Sequence, residues 1–322
     1  GSAPAPAPTG GSTGGSSGGG TTYSYDPIIG NYTNKTWDAF GAGLLANFNL
    51  STNRLSFIDY TGINNYDLSV SLTEVNSTTL DLDYSGSSTN GDTFTFNLNL
   101  NGYNTSVLPL YEYGETQPSF SFYTSTFADA ATRFFMPSED FLQKYGVEYV
   151  GFAQMEIARL TDNRYFVLPT FYGDYTETGD MPNSSKTLSI RSIGYYHNES
   201  TSGSVQLAIA GDGSLNVDFA NNTLSGELIY DDYILFNEFV AGNGANSQVA
   251  TLSSTTLTIT NGRIIGSKFT ADVTSPDNGV GRLVGYFFGP DANEFGASLI
   301  LLDNDGESAN DYFAFSAGLI GY

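Results

Sequence analysis

From about residue 23 onward, apolar and polar side chains alternate with a period of two over short stretches that stop at Asn-Gly, Asp-Gly or Asn-Asn. Period two puts successive side chains on opposite faces of an extended strand. Those dipeptides accept the positive φ values of tight hairpin turns. Phe94, Phe96, Leu98 and Leu100 alternate with Thr93, Thr95, Asn97 and Asn99 ahead of Asn101-Gly102. Val205, Leu207 and Ile209 run toward Asp212-Gly213, and Leu215, Val217 and Phe219 toward Asn221-Asn222, after which Leu224, Leu228 and Tyr230 follow. Phe313, Phe315 and Leu319 share one face near the end. The pattern predicts half-buried antiparallel strands.

Helical signals are few. Ser138 is placed to cap a short helix over residues 139–145 with Gly146 as its stop, and residues 291–295 suit a single turn. The segment 119–137 loses the alternation and divides the chain, which sets a boundary near residue 144. The expected fold is mainly β, with a smaller β-rich unit over 23–144 and a meander of about eight antiparallel strands over 145–322. Full closure of the meander into a small, filled, soluble barrel removes its edges. An outer-membrane barrel is the competitor, since Tyr322 ends an aromatic strand. Asn216, Asp218, Glu227 and Lys268 opposite the apolar set argue against it.

Composition narrows the chemistry. Residues 1–22 are Gly, Ser, Thr, Pro and Ala and have nothing to bury against their ordering entropy, so they read as a flexible tether. The rest can build a large core. The chain carries 34 acidic against 11 basic residues, a net charge of −23, and has no basic cluster, which excludes nucleic acid as a partner. With no Cys and a single His it lacks disulfides, thiolate sites and multi-His metal centres, and a catalytic triad would depend on His197 alone. Nothing recommends an enzyme. No apolar run reaches the roughly 18 residues of a membrane helix.

The stretches 213–228, 260–273 and above all GYFFGPDANEFGASLIL (285–301) resemble the closing barrel of transferrin-binding-protein-B-like bacterial surface lipoproteins of the Slam-dependent type. Gly285, Phe288, Gly289, Pro290, Ala292, Glu294 and Gly296 match the recurrent element near the end of that barrel, and Ala297 stands where a second Gly is common. Asp180-Met181-Pro182 matches the opening strand, with Ser185 or Lys186 in place of the usual Gly. These motif residues read as architecture: a Gly-Pro turn, a tight corner and a close strand approach. The resemblance implies one handle-plus-barrel lobe, with 23–144 as handle. It also implies display on the outer face of a Gram-negative outer membrane, through a lipidated Cys just ahead of this sequence. Relatives capture an iron- or haem-carrying host protein, or haem itself, for a TonB-dependent outer-membrane transporter. The expected function is therefore capture of a carrier protein or small ligand. The alternative is a structural or adhesive surface protein without a role in uptake.

Two clusters are candidate ligand sites. Tyr195, Tyr196 and His197 place haem-type axial donors side by side, Tyr195 and His197 on one strand face, ahead of an expected turn at 198–200. The bland reading is an ordinary aromatic strand end, and no resident cofactor is expected. Phe120, Phe122, Tyr123, Phe127, Arg133, Phe134, Phe135 and Met136 crowd aromatics around one cation. Exposed, they would anchor a protein partner; buried, they would join handle to barrel. Asp303-Asn304-Asp305-Gly306-Glu307 lacks the remaining ligands of a calcium loop and reads as a turn. The pairs Asp231-Asp232 and Glu177/Asp180 lack a testable separation for glycosidase acids.

Trimming residues 1–22 by limited proteolysis is expected to leave the melting temperature unchanged; a loss of more than ~1 kcal/mol would mean that the segment packs on the fold.

Overall fold

The computed structural model of the chain describes residues 22–28, 35–49, 54–57, 64–76, 79–88, 93–101, 108–110, 120–126, 130–137, 139–159, 164–200, 203–234, 254–276, 279–302 and 312–322. Ten strands form an open antiparallel sheet: β1 (Lys35–Asn49), β2 (Arg54–Phe57), β3 (Asn64–Asn76), β4 (Thr79–Ser88), β5 (Thr93–Asn101), β6 (Leu108–Leu110), β7 (Phe120–Thr126), β8 (Ala130–Pro137), β9 (Gly151–Arg159) and β10 (Arg164–Tyr172). Their order is β5-β4-β3-β1-β10-β9-β8-β7-β6, with β2 paired to β1. Eight more close a barrel in sequence order: β11 (Ser185–Ser200), β12 (Gly203–Asp218), β13 (Thr223–Ile234), β14 (Thr255–Ile265), β15 (Lys268–Thr274), β16 (Val280–Phe288), β17 (Glu294–Leu302) and β18 (Tyr312–Gly321). Closure comes from β18 pairing back onto β11, Ile190 opposite Gly321 and Glu199 opposite Tyr312.

The mainly β fold and the eight-stranded barrel agree with the sequence pattern; some boundaries do not. The barrel starts at Ser185 rather than near 145, because residues 151–172 pair with β1 and β8 in the first sheet. Alternation marks a segment as a strand but says nothing about its partner, and β10 pairs with a strand more than a hundred residues earlier. Asp212-Gly213 is no hairpin. β12 runs straight through it, with a register shift against β13 beside Ala210 and Asp212. No hairpin follows Asn101 either, since β6 lies at the opposite edge of the sheet from β5. The expected turn at 198–200 is strand, with Asn198 and Glu199 paired on both sides and Ser200 paired to Gly203. Asn221-Asn222 does turn, with Asn222 at φ 55° and Asp218 accepting bonds from the Asn221 amide N–H (3.2 Å) and Nδ2 (2.7 Å).

The single α-helix among the described residues, α1 (Glu139–Tyr145), has the expected stop. Gly146 takes φ +65°, its N–H reaches the Gln143 carbonyl at 3.2 Å, and the Val147 N–H reaches Leu142 at 2.9 Å. That double bond satisfies carbonyls the helix end would otherwise orphan, and buried Val147 packs in one cluster with Phe141 and Leu142.

Inward residues of the barrel are apolar, among them Leu188, Ile190, Leu215, Leu228, Ile259, Phe269, Leu283, Phe287, Phe295 and Leu319. On β14 and β15 the alternate residues Thr256, Thr258, Thr270, Asp272 and Thr274 face outward. An apolar inside and polar outside is the reverse of a membrane barrel, whose apolar belt faces lipid. The interior is a packed core.

The open sheet lies against the barrel through β1, β9 and β10 on β17 and β18. Phe171 stacks on Phe40 (5.4 Å between centroids) and packs on Phe152 (5.2 Å). Two barrel glycines make room for these rings. A Cβ at Gly296 would sit 2.4 Å from Phe171, and one at Gly318 would sit 2.1 Å from Phe152. Buried Ser298 on β17 adds a polar stitch, accepting from the Ala42 N–H and donating to the Pro169 carbonyl, both at 3.3 Å. Replacing Gly318 or Gly296 by Ala overpacks this seam, since both rings are buried. Each change is expected to cost about 1–3 kcal/mol in urea unfolding; a neutral result would mean the two units slide apart freely.

Candidate functional site

The element Gly289-Pro290-Asp291-Ala292-Asn293-Glu294 joins β16 to β17 at the end of the barrel where β11 begins. Gly289 and Asp291 take positive φ (67° and 55°), Ala292 is buried, and Glu294 points its carboxylate away from solvent at 4% exposure. Three backbone N–H groups of the linker between α1 and β9 converge on it. Glu148 donates to Oε1 at 2.7 Å, and Tyr149 and Val150 donate to Oε2 at 2.7 and 3.0 Å. Burial pushes this carboxyl up to about 7, against the three N–H donors that favour its charged form; the nearby Glu148 charge raises it further.

The same end holds the other motif and the start of the described chain. Asp180 Oδ2 accepts from the Tyr25 hydroxyl (2.9 Å) and from the Asp291 N–H (3.3 Å), so the two motifs touch. Tyr25 in turn accepts from the Glu177 N–H at 3.1 Å; burial raises its pKa against that N–H donor, and Asp180 adds to the rise. The Asp26 N–H binds Asp174 Oδ2 at 2.7 Å, and buried Ile28 donates to the Glu148 carbonyl at 2.6 Å. Lys186 Nζ bonds the Asp291 carbonyl at 2.5 Å and Asn293 Oδ1 at 2.7 Å; burial lowers its pKa while Asp291 and Asp180 oppose the fall. This end, the base, is closed by short connections at 219–222, 266–267 and 289–293.

All other barrel connections leave from the opposite end: 201–202, 235–254, 275–279 and 303–311. Handle strand β10 runs antiparallel beside β17, Pro169 beside Ser298 and Phe171 beside Gly296. The handle connections at 50–53, 89–92, 127–129 and 160–163 therefore leave from that same far end. The far end is the candidate binding end.

The predicted site residues fall as follows. Tyr195, Tyr196 and His197 lie in β11 near the far end, opposite Ala208, Leu207 and Gln206 on one side and Ser316, Phe315 and Ala314 on the other. They belong to a continuous wall rather than to a strand end. The expected segment 119–137 is a regular hairpin of β7 and β8, in which Phe122 pairs with Phe135, Tyr123 with Phe134 and Arg133 with Thr124. This hairpin belongs to the open sheet and the Tyr195–His197 strand to the barrel. Phe127, the acidic stretch 303–307 and the tether up to residue 21 lie outside the described residues. Sequence reasoning missed the clamp role of Glu294 and the docking of Tyr25. The available signal was a carboxylate standing directly ahead of the mostly apolar run 295–302.

A family model described as the C-lobe and N-lobe β-barrels of Tf-binding protein B matches residues 148–318, more than half of the chain. The chain belongs to this family. It is transferrin-binding-protein-B-like, and this sequence forms one handle-plus-barrel lobe. Solved structures similar to it include a double mutant of transferrin binding protein B from Haemophilus parasuis Hp5, at 12% identity and TM-score 0.40, covering 92% of this chain and 77% of that one. Isotype 1 transferrin binding protein B from serogroup B Neisseria meningitidis matches at 13% identity and TM-score 0.36, covering 81% and 53%. A structure described as a surface lipoprotein matches at 12% identity and TM-score 0.36, covering 88% and 98%. No curated protein sequence matches the chain.

The Glu294 clamp yields a pH signature. Because its folded pKa stands near 7 against an ordinary 4.5, the folded state keeps a proton that the unfolded state releases across that window. Stability from this group therefore falls as pH rises from about 4.5 to 7. The neutral Glu294→Gln variant is expected to have a flatter profile there by denaturant unfolding, and Glu294→Ala, which leaves three donors unmet, to lose several kcal/mol, at roughly 1–3 per group. The opposite slope would show that the N–H donors outweigh desolvation.

Proposed function

We propose that this protein is a non-enzymatic, lipid-anchored receptor on the outer-membrane surface that captures a carrier protein or small ligand of the iron- or haem-acquisition type and hands it to a TonB-dependent transporter. One observation carries this reading: the chain enters the fold at the base, where Tyr25 and Ile28 are held, while the longest connections of the barrel leave from the far end. A body tethered at one end and elaborated at the other suits capture of a partner approaching from outside. Family membership supports it. The absence of Cys and the single His supply no nucleophile–base set for an enzyme. Carrier capture through handle and barrel connections also needs none of the buried donors that haem requires.

Immobilised protein exposed to host serum is expected to retain a specific carrier, identified by mass spectrometry, and to lose it when residues 235–254 are replaced by a short Gly-Ser linker. Haem titration is expected to give no sharp Soret shift and no saturating one-to-one curve. A saturable spectrum abolished by His197→Ala would make the protein a haem carrier instead. Failure to retain any serum protein, in cells whose uptake is unchanged by deletion of the gene, would favour the adhesive alternative.

A further inference from the structure

Strand β11 opens the barrel with one edge only partly covered. β12 pairs with it from Ser185 onward, but β18 reaches back only to Ile190, beyond which Ser189 and Tyr322 exchange a last pair of N–H···O bonds at 2.8 and 3.0 Å. Among the described residues, 185–188 therefore have a strand neighbour on the β12 side alone. Lys186 spans this corner. Its amine reaches the β16–β17 connection, where the Asp291 carbonyl accepts at 2.5 Å and Asn293 Oδ1 at 2.7 Å. That connection is stiff: Gly289, Asp291 and Ala292 hold φ of 67°, 55° and 47°, Ala292 is buried, and the Asn293 N–H closes onto the Pro290 carbonyl at 3.2 Å. A corner fixed in this way presents the Asp291 carbonyl and the Asn293 carboxamide as a fork around Nζ. Asn293 Cγ lies one bond, about 1.23 Å, behind Oδ1, so the amine already stands beside the carbon that a nucleophile would attack.

We infer that Lys186 and Asn293 join in an intramolecular isopeptide bond, a covalent staple across the base of the barrel that is independent of capture at the far end. In this step the neutral amine adds to Asn293 Cγ, and the new Nζ–Cγ bond replaces the Cγ–Nδ2 bond. Nδ2 leaves as ammonia, carrying the proton that Nζ gives up, so no oxidant, metal or other reactant is consumed. Asn293 is exposed, and the ammonia departs directly into solvent. Burial lowers the pKa of Lys186 and enlarges its nucleophilic fraction, while the Asp291 and Asp180 carboxylates pull the other way. Glu294, next in the chain, lines one depression with Lys186, Asn293, Tyr145 and Tyr322. Its carboxyl, pushed up to about 7 by burial, keeps a proton donor in that depression near neutral pH. The chain has no Cys, so no disulfide restrains this corner.

The test is the intact mass of the full chain, measured on freshly purified protein and again after incubation at about pH 9, where more of the amine is neutral. The expected mass is below that of the sequence by one ammonia, and tandem spectra of a digest are expected to show one branched peptide joining Lys186 to Asn293. The boiled chain is then expected to migrate faster on a denaturing gel than Lys186→Arg, which keeps the positive charge but forms no such bond. A mass equal to that of the sequence before and after incubation would overturn the assignment. So would an ammonia loss that maps to another asparagine or persists in Lys186→Arg. The spectra of the unaltered chain decide the question whether or not the variant folds.

Discussion

The joint between the two sheets depends on one buried carboxylate. Glu294 opens strand β17 of the barrel, yet all three of its hydrogen bonds go to the linker that leads into the handle strand β9. A carboxylate at 4% exposure is costly to bury alone. Backbone N–H groups without partners are costly too, and each side relieves the other. The linker from Glu148 to Val150 has no strand partner of its own, so the barrel motif supplies the acceptors. The N-terminal segment then builds on the same linker, as Ile28 donates to the Glu148 carbonyl.

Packing completes what the clamp begins. The aromatic rings of Phe40, Phe152 and Phe171 lie in the seam, and well-oriented pairs of this kind add about 0.5–1.5 kcal/mol each beyond the area they bury. They fit because Gly296 and Gly318 present bare backbone to them. The family element is thus a joint: Gly289 turns the chain beneath Tyr149, Glu294 holds the linker and Gly296 admits a handle ring. None of these residues is placed to meet a ligand at the far end. An element of this kind can fix how two units join and leave the connections at the far end free for binding, consistent with loops carrying function on a rigid scaffold.

The two ends of the molecule are chemically unequal. At the base the barrel is short-looped and tied by the side chains of Tyr25, Asp180 and Lys186 and the backbone of Asp291, from three separate stretches of sequence. Strand ends of both units meet at the far end because handle strand β10 runs antiparallel beside barrel strand β17. That alignment is set by the seam contacts, Pro169 against Ser298 and Phe171 against Gly296. It brings the end of β7 at Thr126 and the end of β13 at Ile234 to one end, although they lie about a hundred positions apart.

Strand identity, the turn at Asn221-Asn222, the helix stop at Gly146 and the eightfold closure could be read from the chain, because alternation, positive-φ residues and the cost of open edges act locally or on every meander alike. The sequence by itself determined that this is a mainly β protein of handle and barrel with an apolar interior and no thiol or multi-histidine chemistry. It did not determine that residues 151–172 would leave the barrel for the first sheet, that Asp212-Gly213 would pass straight through a strand, or that Tyr195, Tyr196 and His197 would be set in a doubly paired wall. Each of those outcomes depends on which strand lies alongside, and a period-two pattern is equally satisfied by any partner that covers its apolar face. Only the tertiary structure brought Glu294 to three donors some 145 residues away, because a carboxylate's partner is fixed by where the chain returns and leaves no trace in the spacing around it.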